Sequence, residues 1–217
     1  MTEEQIVAYT RMKDNAVTLL KKSGSLVTIK MVLAQMLRLQ QICSGFVKSD
    51  DGQIEKLSTN KLSELMSALE ETSGKVIIWA VFVEDLKAIK KAIAEQYGED
   101  SVAVYSGNTD PEDRQATVMG FQNPNSSLRF FVGQSRTGGY GLTLTEASTV
   151  IYYSNSFDLE VRLQSEDRAH RIGQKKNVTY IDLVTENTVE EKVLKALRNN
   201  TNIASEVLYE GYKEWLI

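Results

Sequence analysis

The sequence predicts an α/β protein, a parallel sheet with helices on both faces, preceded by a helical leader. Three observations carry this. Lys75–Phe82 (KVIIWAVF) reads as an unbroken apolar run of strand length, as expected of a strand buried on both faces. Further strand-like segments follow it, mostly separated by stretches of helical spacing, an alternation that calls for a parallel sheet covered on both sides. Ahead of them, residues 1 to about 72 carry apolar residues at helical intervals.

Taken in order, Thr2-Glu3-Glu4-Gln5 fits a capping box, with Thr2 as N-cap and Gln5 reaching back. Ile6, Tyr9, Met12, Ala16 and Leu19 then recur as one helical stripe up to the break at Ser23-Gly24-Ser25. A second helix is predicted from about Thr28 to Cys43, with Ile29, Val32, Leu33, Met36 and Leu37 facing inward and Gly45 stopping it. Ser49-Asp50-Asp51-Gly52 reads as an exposed turn, and Leu62, Leu65, Met66 and Leu69 define a third helix behind Ser58-Thr59-Asn60. After the strand at 75–82, Glu84 and Asp85 open a helix at its positive end; Leu86, Ile89, Ile93 and Tyr97 face inward and Gly98 closes it. Val102–Tyr105 is a short strand, Ser106-Gly107-Asn108 a turn, and Asp110-Pro111 a helix start with Asp as N-cap and Pro at the first helical position. Leu128–Val132, Thr149–Tyr153 and Val178–Val184 complete the strands, with a helix from Asp158 to Gly173 between the last two. Thr188-Val189-Glu190-Glu191 is a second capping box, opening a helix with Val189, Val193 and Leu197 on its apolar stripe. The domains expected are a leader over 1–72, a sheet lobe over 73–198 and a helical tail over 199–217.

At 217 residues the chain is one large domain, or a domain with a helical appendage. Its 42% hydrophobic and 25% charged residues are ordinary for a soluble protein. Cys43 is the only cysteine and His170 the only histidine, which excludes an internal disulfide and any cysteine/histidine zinc cluster, and favours a reducing compartment. No apolar run reaches the length of a membrane span, and MTEEQ lacks the pattern of a signal peptide. The net charge of −4 argues against a uniformly basic nucleic-acid surface and leaves room for a local basic patch. Cys43 on its apolar helix is expected in the core, as is Trp79 on its strand; Trp215 is expected to cap the fold or to pack at an interface with another lobe.

Two stretches carry candidate chemistry. At about 100° per residue, Gln164, Arg168 and Arg171 share one narrow stripe of the predicted 158–173 helix, with Leu159, Leu163 and His170 on another side. Two guanidiniums beside a glutamine suit a phosphate-like anion, because arginine presents a planar fork of donors; a solvated face pairing with Glu166 and Asp167 explains the same residues. The loop from Gln134 to Gly141, with Gly138, Gly139 and Gly141, follows a strand, the end of a parallel sheet where ligands bind. Its glycines allow backbone N–H groups to approach an oxyanion, or simply allow a tight turn. There is no G-x-G-x-x-G and no G-x-x-x-x-G-K-[ST], although Ser73-Gly74-Lys75-Val76 superficially approaches the latter, and no D-E-x-H run to hold magnesium.

QSEDRAHRIGQ (Gln164 to Gln174) resembles the last helicase motif of Swi/Snf-type translocases in helicase superfamily two. SRTGGYGLTLTEASTVI resembles the motif before it, KVIIWAVF the first motif of that family's C-terminal lobe, and VYSGNTDPEDRQATVMGFQN the segment that follows. MTEEQIVAY and MLRLQQICSGF resemble the helical lead-in, and DLVTENTVEEKVL the strand and helix after the lobe, so the resemblance covers about Thr2 to Leu197 in matching order.

The resemblance implies a RecA-like lobe with half of an ATP site, the phosphate loop and magnesium acid being supplied by an N-terminal lobe. ATP and Mg2+ would then be bound by the complete protein and not by this chain alone, so ATP turnover is expected only with that lobe. It implies that Arg171 is the finger onto the γ-phosphate, with Arg168 and Gln164 ordering the site, and that Gly138, Gly139 and Gly141 link nucleotide to DNA. Contacts to the backbone of double-stranded DNA would fall near Ser106, Gly107, Asn108, Arg114, Ser135 and Arg136; Arg114 could instead pair with Asp110 or Glu95. Ser154-Asn155-Ser156-Phe157-Asp158-Leu159 departs from the family's acid-x-x-Trp-Asn-Pro segment, placing Phe157 where the family has tryptophan. About thirty residues separate Gly45 from Lys75, leaving no space for remodeller-type insertions, which fits a compact bacterial or viral translocase acting in the cytoplasm; a eukaryotic one would act in the nucleus. His170 resembles the motif histidine, and its place beside Leu159 and Leu163 suits a packed, hydrogen-bonded side chain. The alternative is a stand-alone module that binds DNA or a protein and never forms an ATP cleft.

Overall fold

The computed structural model describes residues 1–23, 27–49, 51–107, 109–137, 142–171, 174, 177–211 and 215. They group into two compact units, one formed by Met1–Lys61, Phe157–Leu159 and Val184–Ile217, the other by Leu62–Ser156 and Glu160–Leu183.

The first unit is largely helical. Helix α1 (Glu3–Ser23) opens with the expected capping box: the Gln5 amide donates to Thr2 Oγ1 at 3.2 Å and the Thr2 amide to Gln5 Oε1 at 3.0 Å. Gln5 also does something the motif did not announce. Its Nε2 donates to the carbonyls of Ile42 (2.7 Å) and Cys43 (3.2 Å), adding a side-chain donor to the last turn of α2 (Ile29–Ser44), where intrahelical donors run out. That helix starts at the N-cap Thr28 and ends on Gly45 at φ 92°, where an added Cβ would meet the Thr59 side chain at 2.6 Å. The stripe on α1 is rotated from the expected one: Gln5, Tyr9, Ala16 and Leu20 are buried, whereas Ile6 and Leu19 are about half exposed. Leu37 on α2 is likewise exposed, because Leu39 and Gln40 take the inward positions. The turn at 49–52 proves to be the tip of a small antiparallel hairpin, β1 (Phe46–Lys48) with β2 (Ile54–Lys56); Asp50, like Gly24 and Ser25, lies outside the described residues.

Helix α7 (Val189–Arg198) and α8 (Ile203–Glu210) belong to the same unit, and Val189, Val193, Leu197, Ile203, Val207 and Trp215 share its core with Tyr9, Leu20 and Met36. Thr188 is the N-cap of α7, but Glu191 does not close the box. Glu190 turns inward instead and meets Lys61 at 2.6 Å. Cys43 is fully buried, and burial pushes its thiol up to about 12. Phe157 packs against this core, which gives the residue in the tryptophan position an apolar setting.

The second unit is the expected α/β lobe. Helix α3 (Lys61–Glu70) leads into five strands, all parallel: β3 (Lys75–Ala80), β4 (Val102–Tyr105), β5 (Phe130–Gln134), β6 (Ala147–Tyr152) and β7 (Thr179–Asp182), in the order β4-β5-β3-β6-β7. Strand β3 lies in the centre and every residue of it is buried. Its two faces sort by parity. Val76, Ile78 and Ala80 pack with Leu65 and Leu69 of α3 and with Leu86, Ile89 and Ile93 of α4 (Val83–Tyr97). Ile77 and Trp79 pack with Phe121 of α5 (Pro111–Gln122), Phe131, Leu142, Leu144, Tyr152 and Ala169. Gly133 on β5 is dictated by this second face: an added Cβ would stand 2.6 Å from the Trp79 ring. Asp110 has N-cap backbone geometry at α5, yet its side chain makes no capping bond. No described helix is long and apolar enough to cross a membrane.

Candidate functional site

The expected helix from Asp158 to Gly173 is shorter in the structure. Helix α6 (Leu159–Glu166) stops at Glu166, and the amides of Arg168 and Ala169 then bond three residues back, to Ser165 (3.3 Å) and Glu166 (3.2 Å). The tightening has a packing cause. Ala169 is pulled into the second core of the lobe, and the Arg168 carbonyl accepts from the Leu144 amide at 2.9 Å. Gln164, Arg168 and Arg171 therefore do not form a stripe on one helix. Gln164 remains on α6 and donates to Glu160 at 2.9 Å, whereas Arg168 and Arg171 lie in the turns beyond it. Gly173 lies outside the described residues.

The two arginines nevertheless meet. Arg168 Nη1 and Arg171 Nη1 both point at the Leu142 carbonyl, at 3.4 and 3.3 Å, and Arg171 Nη1 also donates to Thr143 Oγ1 at 3.1 Å. Leu142 and Thr143 directly follow the glycine loop. Gly138, Gly139 and Gly141 themselves lie outside the described residues. Burial, followed by the nearby Arg171 charge, pulls the Arg168 pKa down. Asp167 opposes that shift, and two guanidiniums turned to one carbonyl present their planar donor forks side by side, an arrangement that fits a phosphate group. Arg168 is buried and Arg171 exposed, a division suited to one guanidinium fixed in place and one that reaches outward. His170 does not pack as expected: it is exposed, and Leu163 is 44% exposed, because the turns after Glu166 break the helical face they were to share.

The residues expected at DNA gather at the carboxyl ends of β4 and β5. These strands are adjacent and parallel, with Tyr105 opposite Gly133, so Ser106 and Gly107 leave the sheet beside Ser135 and Arg136. Arg114 reaches back from α5 to the Gly107 carbonyl (2.7 Å) and the Ser106 carbonyl (3.2 Å), with its guanidinium over the Tyr105 ring at 5.7 Å. It braces this turn through carbonyls and takes neither Asp110 nor Glu95. Ser106 and Ser135 are buried, whereas Gly107 and Arg136 are exposed; Asn108 lies outside the described residues.

One cluster was not anticipated. Arg162 is buried on α6; its Nη1 donates to Asn155 Oδ1 (2.7 Å) and to Asp182, its Nε to Glu166 Oε1 (2.6 Å), and its guanidinium lies 3.5 Å from the centroid of Tyr152. Burial alone would lower its pKa, but the Asp182 hydrogen bond and the charges around it raise it above the usual value. The available signal was Asp182, an acid at the end of β7 just before Leu183 and Val184, whose withdrawn carboxylate calls for a cation. Among the described residues no group of three or more His, Cys, Asp or Glu could hold a metal ion.

Comparison with known proteins identifies the family and the fold. The family model for the helicase conserved C-terminal domain matches residues 58–173. The human SWI/SNF-related matrix-associated actin-dependent regulator of chromatin subfamily A member 1 is 34% identical over 150 residues, 69% of this chain and 14% of that protein. An uncharacterized ATP-dependent helicase of Mycoplasma pneumoniae is 28% identical over 180 residues, 82% of this chain and 17% of that protein. The Sulfolobus solfataricus SWI2/SNF2 ATPase core in complex with dsDNA superposes with a TM-score of 0.72 at 26% identity, over 98% of this chain and 45% of that one. The chain thus spans less than half the length of each of these relatives. With its parallel five-stranded sheet, it belongs to the helicase conserved C-terminal domain family, of the Swi/Snf type within helicase superfamily two.

Proposed function

We propose that this chain is one motor lobe of an ATP-dependent double-stranded DNA translocase, and that it turns over ATP only together with a second RecA-like lobe carrying the phosphate loop. The observation that carries the reading is the convergence of Arg168 and Arg171 on the Leu142 carbonyl, at the exit of the glycine loop. In this reading Arg171 extends to the γ-phosphate and neutralises the charge that builds up during transfer, while Arg168 holds the site's positive potential. Bound ATP with Mg2+ supplies the transferable phosphoryl group. Ser106, Gly107, Arg114, Ser135 and Arg136 cluster at one end of the sheet, where Gly107 and Arg136 meet the DNA backbone and Arg114 keeps the 106–107 turn in shape. A Sulfolobus neighbour whose structure is described with dsDNA supports that partner.

Steady-state turnover with and without duplex DNA tests this. The chain alone is expected to show negligible hydrolysis, the two-lobe protein DNA-stimulated hydrolysis, and its Arg171→Ala variant a loss of about 10³–10⁵-fold. DNA binding by the chain should weaken steeply with added salt, as phosphate contacts do. Unchanged turnover in Arg171→Ala overturns the finger assignment. The second reading is a binding module without ATP chemistry. That reading stands if joining the second lobe yields no hydrolysis while DNA binding persists.

A further inference from the structure

We propose that Arg162 is a positioning residue for the arginine pair, locking the end of α6 to the sheet so that Arg168 and Arg171 are presented as one anion site. It rests on the nucleotide reading of that pair and adds a residue to it. Arg162 takes its fixed points from the sheet: Asp182 at the end of β7, Asn155 just beyond β6, and the Tyr152 ring of β6 beneath the guanidinium. From there its Nε grips the Glu166 carboxylate, on the last residue of the helix.

Glu166 is the pivot of the following turn. Its backbone carbonyl accepts from the amides of Ala169 (3.2 Å) and His170 (3.1 Å) and from the Tyr180 hydroxyl (3.3 Å). One residue earlier, Ser165 is tied to the Tyr152 hydroxyl at 2.7 Å, and the Ser165 carbonyl accepts from the Arg168 amide. The far side of the turn is held separately, by Gln174 Nε2 on the Ala169 carbonyl (3.0 Å) and the Ala147 carbonyl (3.1 Å). Arg168 is thus suspended between two anchored ends, and Arg162 provides the charged anchor. A lysine could not replace it, since a single ammonium cannot span acceptors lying in different directions and stack on a ring.

The test has two arms. In the chain itself, the Arg168 and Arg171 Nε–Hε NMR signals should shift or broaden in Arg162→Met and in Arg162→Lys, while the indole signal of Trp79 stays in place. Unmoved arginine signals overturn the proposal, whatever the chemistry of the pair. In the two-lobe protein, Arg162→Met should lower kcat for ATP by about 10–100-fold with KM within about twofold, because an interaction used in the transition state is lost. The double variant with Arg171→Ala should lose less than the product of the two single losses, since both effects run through the same arginine pair. A fully additive loss reduces Arg162 to a merely structural part and overturns the proposal. Should Arg162→Met fail to fold, Glu166→Ala removes the same grip from a partly exposed position and is read identically. If Arg171→Ala turns over normally, the function proposed above falls, and the NMR arm alone decides whether Arg162 sets the turn.

Discussion

In the helical unit Lys61 meets Glu190 at 2.6 Å, and in the sheet unit Arg162 meets Asp182; all four side chains are at least nine-tenths withdrawn from solvent. The lysine pair is compact. One ammonium faces one carboxylate, whose second oxygen also accepts the Thr185 amide at 2.9 Å, so within the helical unit the pair ties residue 61 to the start of α7. The arginine reaches Asp182, Asn155 and Glu166 and covers Tyr152. A point charge joins two segments, whereas a planar fork fixes an orientation. That difference accounts for an arginine beside the candidate site and a lysine within the helical core.

The largest effect should come from breaking the simpler pair. Glu190→Ala takes the carboxylate away from a buried ammonium and should cost about 3–5 kcal/mol in urea unfolding, whereas replacing both residues, as Lys61→Met with Glu190→Leu, should recover most of that loss, short of the Thr185 amide's lost acceptor. If the double variant is as unstable as the single one, Lys61 and Glu190 do more than compensate each other. Gly133→Ala probes an apolar constraint in the sheet unit: its Cβ would collide with Trp79, for an expected loss of about 1–3 kcal/mol in the same measurement. Thr188→Ala separates the helix cap from the ion pair beside it. It removes the acceptor of the Glu190 amide and should cost about 1 kcal/mol, well short of the loss from Glu190→Ala.

Cys43 reads the same neighbourhood by titration. Burial first, and then the Glu190 charge, push its thiol from about 9 to about 12, while Lys61 opposes them. The folded form keeps the proton longer than the unfolded chain does. This stabilising contribution is therefore complete below about pH 9 and is lost as pH rises toward 12. At pH 8 a thiol reagent should label Cys43 only as fast as the protein unfolds. Rapid labelling in the native state contradicts the buried position.

The sheet was legible because its strands are apolar and each helix that follows one has its own local signals, such as Pro111 at a helix start and Gly98 at a helix end. Strand ends moved by up to two residues, as at β5, predicted over 128–132 and found at Phe130–Gln134. The rotated stripe of α1 was not legible, because Ile6 and Leu20 are both apolar and only the neighbouring helix decides which is covered. At the candidate site the identities of Arg168 and Arg171 could be read and their geometry could not. A wheel assumes a continuous helix, and the core claims Ala169 in the middle of this one.

By itself the sequence determined the α/β class, the five strands of the main sheet and most of the helices, the capping box at Thr2 and Gln5, and the family, because these depend on local spacing and on motif order. Tertiary structure alone decided the strand order β4-β5-β3-β6-β7, the grouping of 184–217 with the first helices, and the convergence of two arginines on the Leu142 carbonyl. Each of those brings together residues far apart in the chain, and their partners follow from packing and from the need to satisfy buried charge, which no short window of sequence contains.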